Sequence, residues 1–293
     1  MEKVSLAVIG GSGLYQMEGL KDIKEIKVTT PFGNPSDAIV IGTLAGKRIA
    51  FLPRHARGHR IMPTELNSRA NIYALKKLGV DRIISVSAVG SLREDYQPLD
   101  VVVPDQVFDR TKSRGNSTFF GNGIVAHIQF SDPFCSDLSQ LLVQGAQKLD
   151  KPVHPTGTFI CMEGPAFSTR AESKVYQQWG MDIIGMTVIP EAKLAREAEI
   201  CYGVLALVTD YDCWHVTEET VSVEMVIQNL LANVETAKGI IRDVITKIPD
   251  TRKCSCATAL QNAIITDPSR ITPAARKPVA LLINKYLKTS SKS

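Results

Sequence analysis

Val204-Leu205-Ala206-Leu207-Val208-Thr209-Asp210-Tyr211-Asp212 is an apolar, partly β-branched run closed by two aspartates. A run without polar alternation reads as a strand buried on both faces, and such strands belong to sheets covered by helices on each side. In an open α/β sheet, ligands bind beyond the carboxyl ends of the strands. Asp210 is then expected at a strand exit, half removed from water. Desolvation raises a carboxyl's pKa, and a carboxyl that keeps its proton can donate it. Solvated turn aspartates have the same sequence signature, so the run alone points to fold class more than to function.

Working outward, strand-like and helix-like segments alternate. Val4 to Ile9 reads as a first strand. Asp37 to Leu44 and Arg48 to Leu52 read as two more, joined by a turn at Ala45-Gly46, with Gly42 marking a bulge. Asn67 to Leu78 has helical spacing, and Arg82 to Val86 and Val101 to Pro104 follow as strands. Leu138 to Leu149 and Ala171 to Trp179 read as helices, Ile183 to Met186 as a short strand, and Pro190 to Glu199 as a helix begun at proline. Ser222 to Lys247 is a long amphipathic helix ending before Pro249. The alternation predicts a single α/β domain over residues 1–250, a mixed sheet surrounded by helices. Residues 251–293 form a more polar C-terminal extension, whose end is expected to be disordered.

Composition narrows the function. Of 293 residues 44% are hydrophobic, enough for a full core, and the net charge of +4 is spread along the chain. A few phosphate-binding Arg and Lys residues explain that charge as well as nucleic acid would. Aromatic residues are only 6%, without the basic-aromatic interleaving of a single-strand binder, so no nucleic-acid partner is expected. No apolar run approaches the roughly 20 residues of a membrane span. The opening Met1-Glu2-Lys3 and Val4 to Ile9 is too short for a signal peptide, and a cytoplasmic location is expected. Of six cysteines, four read as small reduced hydrophobes; Cys254-Ser255-Cys256 is placed to close a strained, reducible disulfide or to remain two thiols. No Cys/His spacing looks like a zinc site, so no metal is expected.

Donor-rich segments recur at strand exits. Gly10-Gly11-Ser12-Gly13 follows the first strand; its N–H groups can form an anion nest, and Gln16 stands where a dinucleotide fingerprint wants glycine. Pro53-Arg54-His55-Ala56-Arg57-Gly58-His59 follows another strand, with a planar guanidinium fork and imidazole donors. Ser85-Val86-Ser87-Ala88-Val89-Gly90-Ser91 and Gly185-Met186-Thr187 close two more with small or hydroxyl residues. A tight turn or a solvated surface explains any one of these. Together they read as an oxyanion site facing the acid at Asp210. Phe167 is either a base-stacking ring or a core residue, and Val223, Val226 and Ile227 share a helical face that is more often core than pocket. His59 and His127 read equally as ligand contacts or structural histidines.

Taken together, Gly10-Gly-Ser-Gly-Leu14, Thr30-Pro-Phe-Gly33, Arg54-His55, Ile61-Met-Pro63, Gly90-Ser-Leu-Arg93, Asp109-Arg-Thr111, Glu163-Gly-Pro165, Met186-Thr187, Pro190-Glu191 and Thr209-Asp-Tyr-Asp-Cys-Trp214 resemble, in content and order, the trimeric purine nucleoside phosphorylase family. The resemblance implies that family's α/β fold, a mixed and partly closed barrel-like sheet surrounded by helices. It implies reversible phosphorolysis of a purine nucleoside in a homotrimer, with inorganic phosphate as co-substrate and neither cofactor nor metal. By position, Ser12, Arg54, His55, Ser87, Ala88 and Thr187 would bind phosphate. Met186 would lie under the ribose, Phe167 and Ser168 would flank the base, and Asp210 and Asp212 would be the catalytic, base-reading acids. Val223, Val226 and Ile227 would line the 5′ pocket, with His59 and His127 as further substrate contacts, the latter reaching a neighbouring subunit. Family members that use 6-oxopurines carry asparagine at position 210 and glutamate at position 168, so Asp210 with Ser168 implies adenine as the base. The expected products are adenine and 5-methylthioribose 1-phosphate, in methionine and purine salvage. The rival readings are a phosphorylase of broader adenosine or 6-oxopurine specificity and a non-catalytic nucleoside-binding module.

Overall fold

The computed structural model describes residues 4–115, 117–149, 151–215 and 223–287, without the side chains of Ser12 and of residues 223–227. The strands are β1 (Leu6–Gly10), β2 (Lys21–Ile26), β3 (Ile39–Leu44), β4 (Lys47–Pro53), β5 (Arg82–Ser91), β6 (Val101–Val102), β7 (Gln106–Asp109), β8 (Val153–His154), β9 (Thr158–Cys161), β10 (Ile183–Gly185) and β11 (Cys201–Asp210). The helices are α1 (Ser68–Lys77), α2 (Ser136–Ala146), α3 (Arg170–Gln178), α4 (Glu191–Glu197), α5 (Val223–Lys247) and α6 (Pro273–Ile283). The result is the mixed α/β fold expected from the alternation.

The strands form one mixed sheet in the order β2-β3-β4-β1-β5-β10-β9-β7, with β11 and then β6 and β8 branching from β5. The branch arises because β5 is long. Its first residues pair in parallel with β1, from Leu6↔Arg82 to Ile9↔Ser85, and its last pair antiparallel with β10 at Ile184↔Gly90. Its other edge runs parallel to β11 from Cys201↔Arg82 to Asp210↔Gly90, with an irregularity after Val208. The parallel strands β1 and β4 therefore end level with Ser85 of β5, while β5 and β11 run on together to Ser91 and Asp210, and the donor-rich segments lie along that step.

Every residue of β11 is buried, as its unbroken apolar run requires. Alternate residues feed two cores. Tyr202, Val204, Ala206 and Val208 pack with Ile72 and Leu75 of α1, Leu194 of α4, and Leu282 and Ile283 of α6. Cys201, Leu205 and Leu207 pack with Leu138 and Leu142 of α2 and Ile240, Ile241 and Val244 of α5. Each such leucine or isoleucine contributes roughly 1.5–3 kcal/mol on leaving water.

Several boundaries differ from the sequence reading. Gly42 sits in regular register opposite Ile49, and the irregularity lies on β2 between Lys21 and Lys24. A Cβ at Gly42 would lie 2.6 Å from Leu20 Cδ1, so glycine permits close packing there rather than a bulge. Pro190 is the residue before α4 rather than its first turn, and Glu199, at φ 55°, closes the turn after that helix. In the C-terminal extension after residue 250, Leu260, Ala263, Val279, Leu282 and Ile283 are buried in the same core as β11. Residues 288–293, the expected disordered end, lie outside the described residues. None of the described helices is long and apolar enough to cross a membrane.

Candidate active site

Arg54 leaves the end of β4, and its N–H donates to Gly10 O at the end of β1 at 2.9 Å. Its side chain is 3% exposed and turns inward. Nε donates to Glu191 Oε1 at 2.6 Å and Nη2 to Glu191 Oε2 at 3.1 Å, while Nη2 also reaches Ser85 Oγ at 2.7 Å and Nη1 reaches Val86 O at 3.0 Å. The planar fork expected to grip phosphate thus grips Glu191, because a buried guanidinium needs a carboxylate at hand. One Nη1 hydrogen remains for an anion. Tyr202 Oη donates to Glu191 Oε2 at 2.8 Å and completes the network. Burial alone pushes the Glu191 carboxyl up, but the Arg54 guanidinium outweighs it and holds the group below its usual value.

His55 is half-buried and stacks on the exposed His59, ring centroids 4.4 Å apart. Burial, with the charge of Arg54 adding to it, lowers its pKa to about 4, so the ring is neutral at pH 7. Nδ1 lies 2.8 Å from Ile61 O, a carbonyl that can only accept, so Nδ1 carries the proton. Nε2 is then an acceptor, matched to the P–OH of a hydrogenphosphate rather than to its charged oxygens. Nearby, Ser87 Oγ and Thr187 Oγ1 stand 2.8 Å apart, joining β5 to the segment after β10. Ala88 follows in β5 beside Leu207. Gly11 faces open space, with no atom within 4 Å of an added Cβ, but its backbone is extended (φ −69°, ψ 158°), so the expected anion nest of alternating right- and left-handed residues does not form there. Ser12 opens the short 3₁₀ turn that follows it; its side chain lies outside the described residues.

Asp210 ends β11 and is 7% exposed. Its Oδ1 accepts from the N–H of Asp212 at 2.8 Å and its Oδ2 from Thr209 Oγ1 at 2.7 Å. The strand end is itself held from α5: Asn229 Nδ2 donates to Thr209 O at 2.6 Å and Asn233 Nδ2 to Val208 O at 3.0 Å. Asp212 adopts φ 53° and accepts from Ser168 Oγ at 2.8 and 2.7 Å, which draws the Phe167-Ser168 loop to the acid. The Phe167 ring is 59% exposed, free to stack on a flat base. Met186 is fixed from below, since a Cβ at Gly164 would collide with its sulfur.

The structure thus brings Arg54, His55, Ser87, Ala88, Met186, Thr187, Phe167, Ser168, Asp210 and Asp212 to one end of the sheet. Val223, Val226 and Ile227 fall in the first turns of α5, with side chains outside the described residues. His127 is set apart: it is exposed, and its N–H donates to Ala263 O of the C-terminal segment at 2.8 Å. The sequence reading missed Glu191, Tyr202, Asn229 and Asn233. Glu191 carried one usable signal, an acid within an apolar helical stretch, Ile189 to Ala195, that has few other polar positions.

Hydroxyl and guanidinium groups gathered near a buried acid suit a group-transfer enzyme, and the chain belongs to the phosphorylase superfamily, whose family model matches residues 5–246. Within that superfamily it is similar over nearly its whole length to S-methyl-5′-thioadenosine phosphorylases. The one from Geobacter sulfurreducens is 59% identical over 98% of this chain and 100% of the relative. That from Hyperthermus butylicus is 54% identical over 90% and 96%. A methylthioadenosine phosphorylase structure from an antarctic soil metagenomic library superposes with a TM-score of 0.92 at 49% identity, covering 96% of this chain and 99% of that one. A variant of adenosine/methylthioadenosine phosphorylase from Schistosoma mansoni, solved with methylthioadenosine, gives 0.81 at 37% identity over 88% and 96%.

Proposed function

We propose that this chain catalyses phosphorolysis of S-methyl-5′-thioadenosine, releasing adenine and 5-methylthio-α-D-ribose 1-phosphate. The observation that carries the reading is the convergence of Arg54 after β4, Ser87 within β5 and Thr187 after β10 on the part of the sheet where Asp210 ends β11 beside Gly90 of β5. Breaking the N9–C1′ bond develops cationic charge on the ribosyl carbon, as in glycoside hydrolysis. A phosphate dianion held by the N–H, hydroxyl and Arg54 donors stabilises that charge and attacks C1′. The bond's electron pair moves into the purine, which leaves readily only when N7 is protonated or strongly hydrogen-bonded. A protonated Asp210 meets both needs of adenine: O–H to N7, and its other oxygen as acceptor for the 6-amino group. Inorganic phosphate is a co-substrate in this scheme, and no step calls on an organic cofactor or metal.

Omitting phosphate tests this directly. Adenine release from S-methyl-5′-thioadenosine, followed by absorbance, is expected to stall in phosphate-free buffer and to saturate as phosphate is restored. Undiminished release without phosphate would make the enzyme a hydrolase, and no release under either condition would leave a binding module.

The assembly we propose is a homotrimer whose subunits share sites. His127 supports it: Val125 and Ile265, 49% and 64% exposed, flank it on the same backbone bridge, an apolar surface suited to cover by a neighbouring chain. Light scattering is expected to give the mass of a trimer or a multiple of it, and an active monomer would exclude the shared site. We place the enzyme in the cytoplasm, where thiols stay reduced; its six cysteines are free.

A further inference from the structure

Far from the acid, at the opposite end of β11, four cysteines meet. Cys201 begins β11, Cys135 immediately precedes α2, and Cys254 and Cys256 lie in and before the short 3₁₀ turn Ser255–Thr258. Their sulfurs all lie within 4.8 Å of one another. Three of the four cysteines are buried, and Cys254 is partly exposed. Cys201 Sγ and Cys254 Sγ stand 3.2 Å apart, within thiol hydrogen-bond reach and too far for a disulfide.

The geometry points to a tetrathiolate site for a single zinc ion, separate from the phosphorolysis machinery. Four sulfurs at about 2.3 Å from a central zinc are about 3.8 Å apart, so the observed cluster needs only small side-chain adjustments to become tetrahedral. All four ligands are soft sulfur, the donor set that selects zinc over magnesium or calcium. The backbone is braced on both sides: Cys135 N–H donates to Tyr202 O at 2.9 Å, and Cys201 N–H donates to Asp81 O at 3.0 Å. Binding converts four thiols to thiolates, releases four protons and leaves a net charge of −2 on the zinc tetrathiolate. Cations stand ready to offset it. Arg252 Nη1 lies 3.8 Å from Cys201 Sγ, and Lys253 borders the same cavity of about 400 Å³, as do Arg82 and Lys247, which are paired with Asp81 and Asp243, and the carboxylate of Asp137. That cavity reaches Cys135, Cys201 and Cys254 and supplies an entry path.

The spacing hid the site from sequence reading. Only Cys254 and Cys256 are near in sequence, and the other two arrive from the start of a helix and the start of a strand. Zinc there would fasten the C-terminal segment, through residues 254 and 256, to the central strand of the sheet. With all four protein ligands in place it has no open position for substrate, so its role is structural.

The test uses the full chain, purified under reducing conditions and stripped with a chelator. Titration with Co(II) is expected to produce thiolate-to-cobalt charge-transfer and strong d–d absorption, saturating at one ion per chain and abolished by displacing Zn(II). Protein as isolated should hold one zinc per chain, and removing it should lower the unfolding midpoint by several degrees without changing the phosphate requirement. Cys254→Ser should lose the tetrathiolate spectrum. Absence of these bands in wild-type protein whose six thiols all react overturns the site. So does the finding, after the same reduction, that only two thiols react, since the cluster would then be a pair of disulfides. Retention of the full spectrum in Cys254→Ser also overturns it. The wild-type titration does not depend on any variant folding.

Discussion

Asp210→Asn is expected to lower kcat/KM for S-methyl-5′-thioadenosine by about 10²–10⁴-fold, the range set by loss of a positioned general acid. The amide keeps the shape of the carboxyl and an oxygen to accept from the Asp212 N–H, which now bonds Asp210 at 2.8 Å. Folding should therefore survive. What changes is the face turned to the base. The carboxyl can protonate N7 and accept from a 6-amino group, whereas the amide cannot protonate and offers NH₂ to a 6-oxo group. Inosine turnover should consequently fall less than adenosine turnover, or rise. The apolar 5′ pocket acts on another atom, and a methylthio group there is worth only roughly 1–3 kcal/mol over a hydroxyl. Adenosine should thus be a slower wild-type substrate, not a rejected one. Measuring kcat/KM for methylthioadenosine, adenosine and inosine on both proteins decides the matter. A wild type that prefers inosine, or a variant with unchanged rates and ranking, would remove Asp210 from the role of base reader.

The parts of this molecule legible in its sequence are those whose neighbours do not matter. β1, β4 and β11 announce themselves because strands buried on both faces are apolar whatever pairs with them. β2 does not: Lys-Asp-Ile-Lys-Glu-Ile lies on the sheet edge with Ile23 55% exposed, and its strand state comes from pairing with β3 rather than from burial. β6 and β8, two residues each, carry no period at all. β7 and β9 are held by pairing with each other, at Gln106↔Thr158 through Asp109↔Cys161, across a long stretch of chain. The site divides the same way. Arg54, His55, Thr187 and Asp210 were visible as polar residues at strand exits, whereas Ser87, expected past a strand ending at Val86, lies inside β5, which runs on to Ser91. Asn229 and Asn233 were not visible, because polar positions on a long amphipathic helix ordinarily face water; here they hold the carbonyls of Thr209 and Val208. Glu191 was named only as part of a Pro-Glu motif, since nothing local indicates a partner 137 residues earlier.

That partner supplies the second large effect. Arg54 and Glu191 are 3% and 2% exposed and bonded through both forks, so neither charge has water to fall back on. Truncating one partner of a buried pair leaves the other unpaired, at a cost of roughly 3–5 kcal/mol. Glu191→Ala and Arg54→Ala should each destabilise the protein by about that amount, read as a lower denaturant midpoint at unchanged slope. Arg54→Ala should in addition raise the phosphate KM strongly and lower kcat by about 10²–10³-fold, as loss of one oxyanion donor does. Glu191→Ala keeps the guanidinium but frees it to turn toward other acceptors, so its kinetic loss should appear first in the phosphate KM. Replacing the pair together separates the two roles. Arg54→Met with Glu191→Leu removes both charges and fills the space, and buried pairs replaced by apolar residues of similar volume often regain stability. The double variant should recover much of the lost stability and none of the phosphate-dependent turnover. Recovery of both would make the pair scaffolding alone. A Glu191→Ala protein with the wild-type midpoint and phosphate KM would mean that Arg54 is oriented by Ser85 and Val86 without it.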